Sequence, residues 1–96
     1  MRDGTYLIGR TRRRSGVTGC FVIDNPTVSE RHAELIVLDG TCHLSDLDSH
    51  NGTWRVRSGG DRRISAGYVR PDERLRFGVV ECSLEELFSG RQLAQR

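Results

Sequence analysis

Ala33-Glu34-Leu35-Ile36-Val37-Leu38-Asp39-Gly40-Thr41-Cys42-His43-Leu44-Ser45-Asp46-Leu47 is the stretch from which the fold can be read. Ala33–Leu38 is an apolar run of strand length, rich in branched side chains. Asp39-Gly40 is a strong signal for a two-residue hairpin, because both central positions of the favoured turn take positive φ. Thr41–Leu47 then alternates as a returning strand, with Cys42, Leu44 and Leu47 on the inward face.

Outward from this hairpin the chain repeats the pattern of short apolar runs closed by turn chemistry. Upstream, Thr5–Ile8 reads as a strand ended by Gly9, and Thr11–Gly19 as a polar, arginine-rich loop. Cys20–Ile23 is the next strand, stopped by Asp24-Asn25-Pro26. Downstream, Asp48–Gly52 is a tight loop, Thr53–Val56 a strand, and Ser58-Gly59-Gly60-Asp61 a turn before a short strand around Ile64. Turns at Gly67 and Pro71-Asp72 precede a closing hairpin of Arg74–Phe77 and Val79–Leu84. Turns recurring at roughly ten-residue intervals mark a sandwich or barrel. No ten-residue segment carries a 3.6-residue apolar period. The expected fold is therefore all-β, a sandwich of two antiparallel sheets, with Leu84–Phe88 as its one short C-terminal helix. A helix of that length is not stable alone and must dock or fray.

With 96 residues the chain has room for one domain, expected over 1–88, followed by a flexible tail over 89–96. Leu, Ile, Val and Phe supply 24 of those residues, a lean core. The net charge is +2, and all fifteen cations are arginine. That balance argues against a nucleic-acid wrapper or a membrane-surface protein, both of which carry dense fields of one sign. No apolar run approaches membrane-spanning length, and the N-terminus has no apolar signal core. Cys20, Cys42 and Cys82, odd in number and each among apolar neighbours, fit reduced, buried thiols in a cytoplasmic protein.

Four short pieces fall in loops or at strand ends: Gly9-Arg10, Ser29-Glu30-Arg31-His32, Asn51-Gly52-Thr53 and Leu75-Arg76-Phe77-Gly78. Their order and spacing resemble the forkhead-associated (FHA) domain, a phosphothreonine-binding β-sandwich, over about residues 6–84. The resemblance implies that Arg10 and Ser29 hold the phosphate and that Asn51 holds the backbone of an extended peptide. It also implies that Gly9, His32 and Gly52 shape the site without touching phosphate. The chemistry agrees with those roles. Phosphothreonine carries nearly two negative charges and three acceptor oxygens, which a guanidinium meets bidentately. A serine hydroxyl donates at little entropic cost, and a side-chain amide can both donate and accept.

Two positions depart from the family pattern. Glu30 stands where a cation or asparagine is usual, and its charge would repel a dianion. His50 stands where a small hydroxyl residue is common; its imidazole can still donate one bond to the peptide or phosphate. Arg12, Arg13 and Arg14 border the presumed site. They read either as compensation for Glu30 and selectors of acidic residues, or as a solvated loop. Arg31 could swing toward phosphate or pair with Glu34 on the surface.

Each piece alone has a plainer reading: a surface charge for Arg10, a turn cap for Ser29, a simple hairpin for Asn51-Gly52. Their joint occurrence in this order favours a site. Catalysis is not expected, since Ser29 and His32 lack a nucleophile elbow and an assignable carboxylate. A metal or other cofactor is not expected either, because no ligand pair has the right spacing. Nucleic-acid binding lacks an aromatic ladder. The expected partner is a phosphothreonine-containing protein or peptide, with recruitment in kinase-dependent signalling as the function. The competing reading is a phosphate-independent interaction scaffold on the same fold. Oligomeric state is not legible at this level.

Overall fold

The computed structural model describes residues 1–12 and 16–90, together with the backbone of residues 94–95. The hairpin at its centre is formed by β3 (Ala33–Leu38) and β4 (Thr41–Asp46), with Leu35 opposite Leu44 and Val37 opposite Cys42. Asp39 and Gly40 take φ values of 49° and 79°, the twist that suits right-twisted strands. Period-two alternation puts Leu35, Val37, Cys42 and Leu44 in the core and turns Ile36 and Leu38 outward. Leu47 lies just past the strand and is half-buried.

Around this hairpin the first sheet runs β2-β1-β3-β4-β7, with β1 at Gly4–Gly9, β2 at Gly19–Val22 and β7 at Ala66–Val69. The second sheet runs β10-β9-β8-β5-β6. Its strands are β5 (Thr53–Arg55), β6 (Arg62–Arg63), β8 (Leu75–Phe77), β9 (Val80–Cys82) and β10 (Ala94–Gln95). The core lies between the sheets, where Ile8, Leu35 and Leu44 meet Leu75, Phe77, Val80 and Cys82. No helix among the described residues is long and apolar enough to cross a membrane.

Three features differ from the sequence expectation. β1 and β2 pair in parallel, so the sheets are antiparallel with one exception. A parallel neighbour requires the connection to travel back the whole length of the strand. Thr18, just before β2, lies back beside the start of β1, its amide donating to the Thr5 carbonyl at 2.7 Å. The second difference is β7, where Gly67 had suggested only a turn. Its residues 66–69 pair with Cys42–Ser45 of β4, and only Val69 faces the core. The third is the tail expected over 89–96. Ser89 closes the helix, Gly90 caps it, and Ala94–Gln95 pairs with Val80 and Glu81 of β9. Residues 91–93 and 96 lie outside the described residues.

The helix α1 (Leu84–Ser89) docks. Ser83 forms a reciprocal capping box with Glu86, and Gly90 closes the last turn in the left-handed conformation at φ 72°. Leu84 and Leu87 are buried, and the Phe88 ring packs on Tyr6 and Phe21 with centroid distances of 5.0 and 4.6 Å. None of the three cysteines is disulfide-bonded; Cys42 and Cys82 are buried and Cys20 is half-buried. Burial pushes the Cys82 thiol up to about 12, so it is inert.

Candidate functional site

Backbone hydrogen bonds join three loops at one end of the sandwich. The Arg10 amide donates to the Ser29 carbonyl at 3.0 Å, and the His32 amide to the Ile8 carbonyl at 2.9 Å. The Leu47 amide in turn donates to the His32 carbonyl at 2.9 Å. This bonding brings the end of β1, the 24–32 loop and the 47–52 loop together. Gly9 permits the approach, since a Cβ there would lie 2.0 Å from the Glu30 carbonyl oxygen.

His32 is fully buried at the junction. The Ser29 amide donates to its Nδ1 at 3.0 Å, so the ring proton sits on Nε2, which donates to the Gly52 carbonyl at 2.8 Å. One neutral imidazole thus ties the 24–32 loop to the 47–52 loop. Burial holds its pKa below the ordinary histidine value, although the Gly52 bond and the Asp46 charge pull the other way. Gly52 sits at φ 86°, where a side chain would be strained.

The 47–52 loop is braced from beneath by Asp46. Its carboxylate accepts the Ser49 amide at 3.0 Å, the Ser49 hydroxyl at 2.5 Å and the Thr53 hydroxyl at 2.8 Å. Ser49 Oγ in turn accepts the Gly52 amide at 3.0 Å. Burial opposes ionisation of Asp46, but the Ser49 and Thr53 donors outweigh it and hold the carboxyl below the usual carboxylate range.

Above this support lies an open cleft of about 310 Å³ lined by Arg10, Pro26, Thr27, Val28, Ser29, Glu30, His50 and Asn51. Ser29 Oγ accepts the His50 amide at 3.0 Å, which leaves the serine's own proton to donate elsewhere. Asn51 donates from Nδ2 to the Thr27 carbonyl at 2.8 Å and is otherwise exposed; its second amide hydrogen and its Oδ1 remain for a ligand. The Arg10 side chain is 38% exposed, and its guanidinium lies 3.6 Å from the Glu30 carboxylate, itself 52% exposed. The cleft can therefore offer a guanidinium, a hydroxyl and an amide to one bound group, with a carboxylate alongside.

Arg10, Ser29, His50 and Asn51 are thus brought together, with Gly9, His32 and Gly52 in the framework behind them. Arg12 and Arg31 are exposed but do not line the cleft, and Arg31 makes no ion pair with Glu34. Arg13 and Arg14 lie outside the described residues. Sequence reasoning missed Pro26, Thr27 and Val28 in the cleft wall. It also missed the brace of Asp46, Ser49 and Thr53. The first group had a readable signal: Asn25 Oδ1 accepts the Thr27 amide at 2.9 Å and its hydroxyl at 2.6 Å. That is the turn an Asn-Pro-Thr run favours.

The family model described as FHA domain matches residues 6–78. The chain belongs to the FHA family. Solved structures agree. The FhaA FHA domain, complexed with the intracellular domain of Rv3910, is 26% identical with a TM-score of 0.68, covering 84% of this chain and 79% of that one. An FHA domain from work on phosphothreonine-dependent FHA domain interactions is 26% identical with a TM-score of 0.66, over 84% and 75% of the two chains. The FHA domain of CT664 from Chlamydia trachomatis, at 21% identity and a TM-score of 0.64, covers 81% and 72% and shares the fold. No curated protein sequence matches the chain.

Proposed function

We propose that this domain binds phosphothreonine within an extended segment of a partner protein and recruits that phosphorylated partner in kinase-dependent signalling. Arg10 and Ser29 take the phosphate, Asn51 holds the peptide backbone, and the His50 imidazole adds a donor at the rim. The observation that carries the reading is the convergence of those four residues, from three separate loops, on one open cleft. Hydrogen bonds through the neutral His32 ring and the Asp46 carboxylate preorganise it, so binding spends little on ordering the loops. A solved FHA relative with phosphothreonine-dependent interactions supports the same reading. The ligand is bound and released unchanged, with no catalytic step, and the setting is cytoplasmic.

The second reading is a phosphate-independent scaffold, and one observation favours it: Glu30 already supplies the Arg10 guanidinium with an anion at 3.6 Å. Nuclear magnetic resonance titration with matched phosphothreonine and unphosphorylated peptide pools separates the two. Shifts at Arg10, Ser29, His50 and Asn51 with the phosphorylated pool alone are expected. Arg10→Ala should weaken that binding at least about a hundredfold, the size of two lost charge-assisted bonds, while leaving the fold intact. Equal shifts with both pools, or wild-type affinity in Arg10→Ala, would establish the scaffold instead.

A further inference from the structure

The chain holds two asparagines, and the residue that follows each decides its chemistry. Asn25 precedes Pro26, which has no amide proton to lose. Asn51 precedes Gly52, where the missing Cβ leaves the amide nitrogen open to the Asn51 side chain. In such a pair the Gly52 nitrogen loses its proton and attacks Asn51 Cγ. The Cγ–Nδ2 bond breaks, Nδ2 departs as ammonia, and a succinimide ring remains. Water then opens the ring to aspartate, or to isoaspartate, whose backbone runs through the former side chain. One water is taken up and one ammonia is released, and no other reactant is needed.

In the folded domain each group in that reaction is engaged elsewhere. The Gly52 amide is buried and donates to Ser49 Oγ at 3.0 Å. Across the same peptide unit, the Asn51 carbonyl accepts Trp54 Nε1 at 2.9 Å. The leaving nitrogen, Asn51 Nδ2, donates to the Thr27 carbonyl at 2.8 Å. The Gly52 carbonyl accepts His32 Nε2 at 2.8 Å and the Gly78 amide at 3.2 Å. Attack requires the Asn51–Gly52 peptide unit to turn, which breaks the Ser49 and Trp54 bonds together. A loop fastened in this way reacts from its open population alone. The same contacts line up a path for the amide proton, from Gly52 through the Ser49 hydroxyl to Asp46, 2.5 Å away. That carboxyl is held below the usual carboxylate range by its donors, so it is a poor acceptor for an amide proton.

We infer that Asn51–Gly52 is a latent self-modification site in the cleft wall, kept closed by Ser49 and Trp54, where opening of the 47–52 loop converts Asn51 irreversibly to aspartate or isoaspartate. Ser49 and Trp54 are therefore positioning residues whose work is chemical protection as well as loop shape. The product places a second carboxylate in a cleft that Glu30 already lines, and it removes the side-chain amide donor. Isoaspartate also lengthens the loop backbone. The loss of ligand affinity that follows rests on the phosphothreonine reading above, whereas the modification itself does not.

The test is mass spectrometry of the tryptic fragment 32–55, whose one asparagine is Asn51, after incubation of the domain at body temperature and mildly alkaline pH. The readout is the mass gain of an amide becoming an acid. A synthetic peptide of residues 48–55 gives the unprotected rate. The wild type should react at least about tenfold more slowly than that peptide. Ser49→Ala leaves the buried Gly52 amide without its acceptor and should react at least about tenfold faster than the wild type. Trp54→Phe keeps a ring but frees the Asn51 carbonyl, and a gain of about threefold is expected; it carries the test should Ser49→Ala fail to fold by circular dichroism. Glu73→Gln weakens the fold away from this loop and should keep the wild-type rate. A wild type as fast as the peptide, a slower Ser49→Ala, or equal acceleration in Glu73→Gln would overturn the inference. The second of these would make the Ser49 hydroxyl a proton relay, and the third would make global unfolding the gate. Aged domain, separated by ion exchange, should bind phosphothreonine peptides more weakly than fresh domain. Undiminished binding would remove Asn51 from the proposed peptide contacts and leave the modification standing.

Discussion

Asp46, beneath the 47–52 loop, and Glu73, in the turn between β7 and β8, each draw a loop and a strand together, but with different donors. Asp46 takes the amide and hydroxyl of Ser49 and the hydroxyl of Thr53, all neutral. Glu73, only 6% exposed, takes the guanidinium groups of Arg55 at 2.5 Å and Arg57 at 2.8 Å and the Arg70 amide at 3.1 Å. Burial works against the charge on Glu73, yet Arg57, Arg55 and the Arg70 amide hold its carboxyl at about 2. One knot consumes cations and the other consumes none, and the cleft lies above the one that consumes none. The chain's single cation type therefore does two jobs, and the nearest carboxylate decides which.

The largest effect that would break this comparison is at Asp46. Asp46→Ala leaves Ser49 and Thr53 without their acceptor and frees the loop carrying His50 and Asn51. The expected loss is about 2–3 kcal/mol in urea unfolding, accompanied by loss of phosphopeptide binding. Stability near that of the wild type would show that the loop holds its shape without the brace.

Glu73→Gln comes next, with about 2 kcal/mol lost from stability and phosphopeptide affinity unchanged. Its pH signature is more telling. The folded carboxyl lies below its ordinary value of 4.5, so its stabilisation is complete above pH 4.5 and fades as pH falls toward about 2. Urea midpoints measured across that window should fall less steeply in Glu73→Gln than in the wild type. Parallel profiles would mean that other carboxylates govern the acid limb.

The smallest effect sharpens the contrast at the cleft itself. Glu30→Arg removes the carboxylate beside Arg10 and should tighten phosphopeptide binding about threefold, since both side chains are substantially exposed. Unchanged affinity by calorimetry would place the phosphate beyond reach of position 30.

The legible parts of this molecule were those governed by near neighbours in the chain. Asp39-Gly40 fixed the central turn because few dipeptides accept positive φ twice in succession. The short helix over Leu84–Phe88 was expected too, and the structure adds the Ser83–Glu86 capping box that fastens its start. β7 escaped notice because Ala66-Gly67-Tyr68-Val69 has little strand character of its own and is held by backbone bonds to β4. The parallel pairing of β1 and β2 was invisible for a related reason, since nothing local tells a loop to run back along its strand.

By itself the amino-acid sequence determined an all-β chain, the family pattern, and the residue types that meet at the cleft. Tertiary structure alone decided which side chains were left available. Arg10, Arg55, Arg63 and Arg76 are chemically identical, and no spacing rule distinguishes them. Folding gives Arg55 and Arg76 buried or half-buried carboxylates, sets Glu30 beside Arg10, and leaves Arg63 resting on an indole. Electrostatic interactions fall off over a few ångströms and depend on burial, so an arginine's role follows from distances that only the packed chain defines.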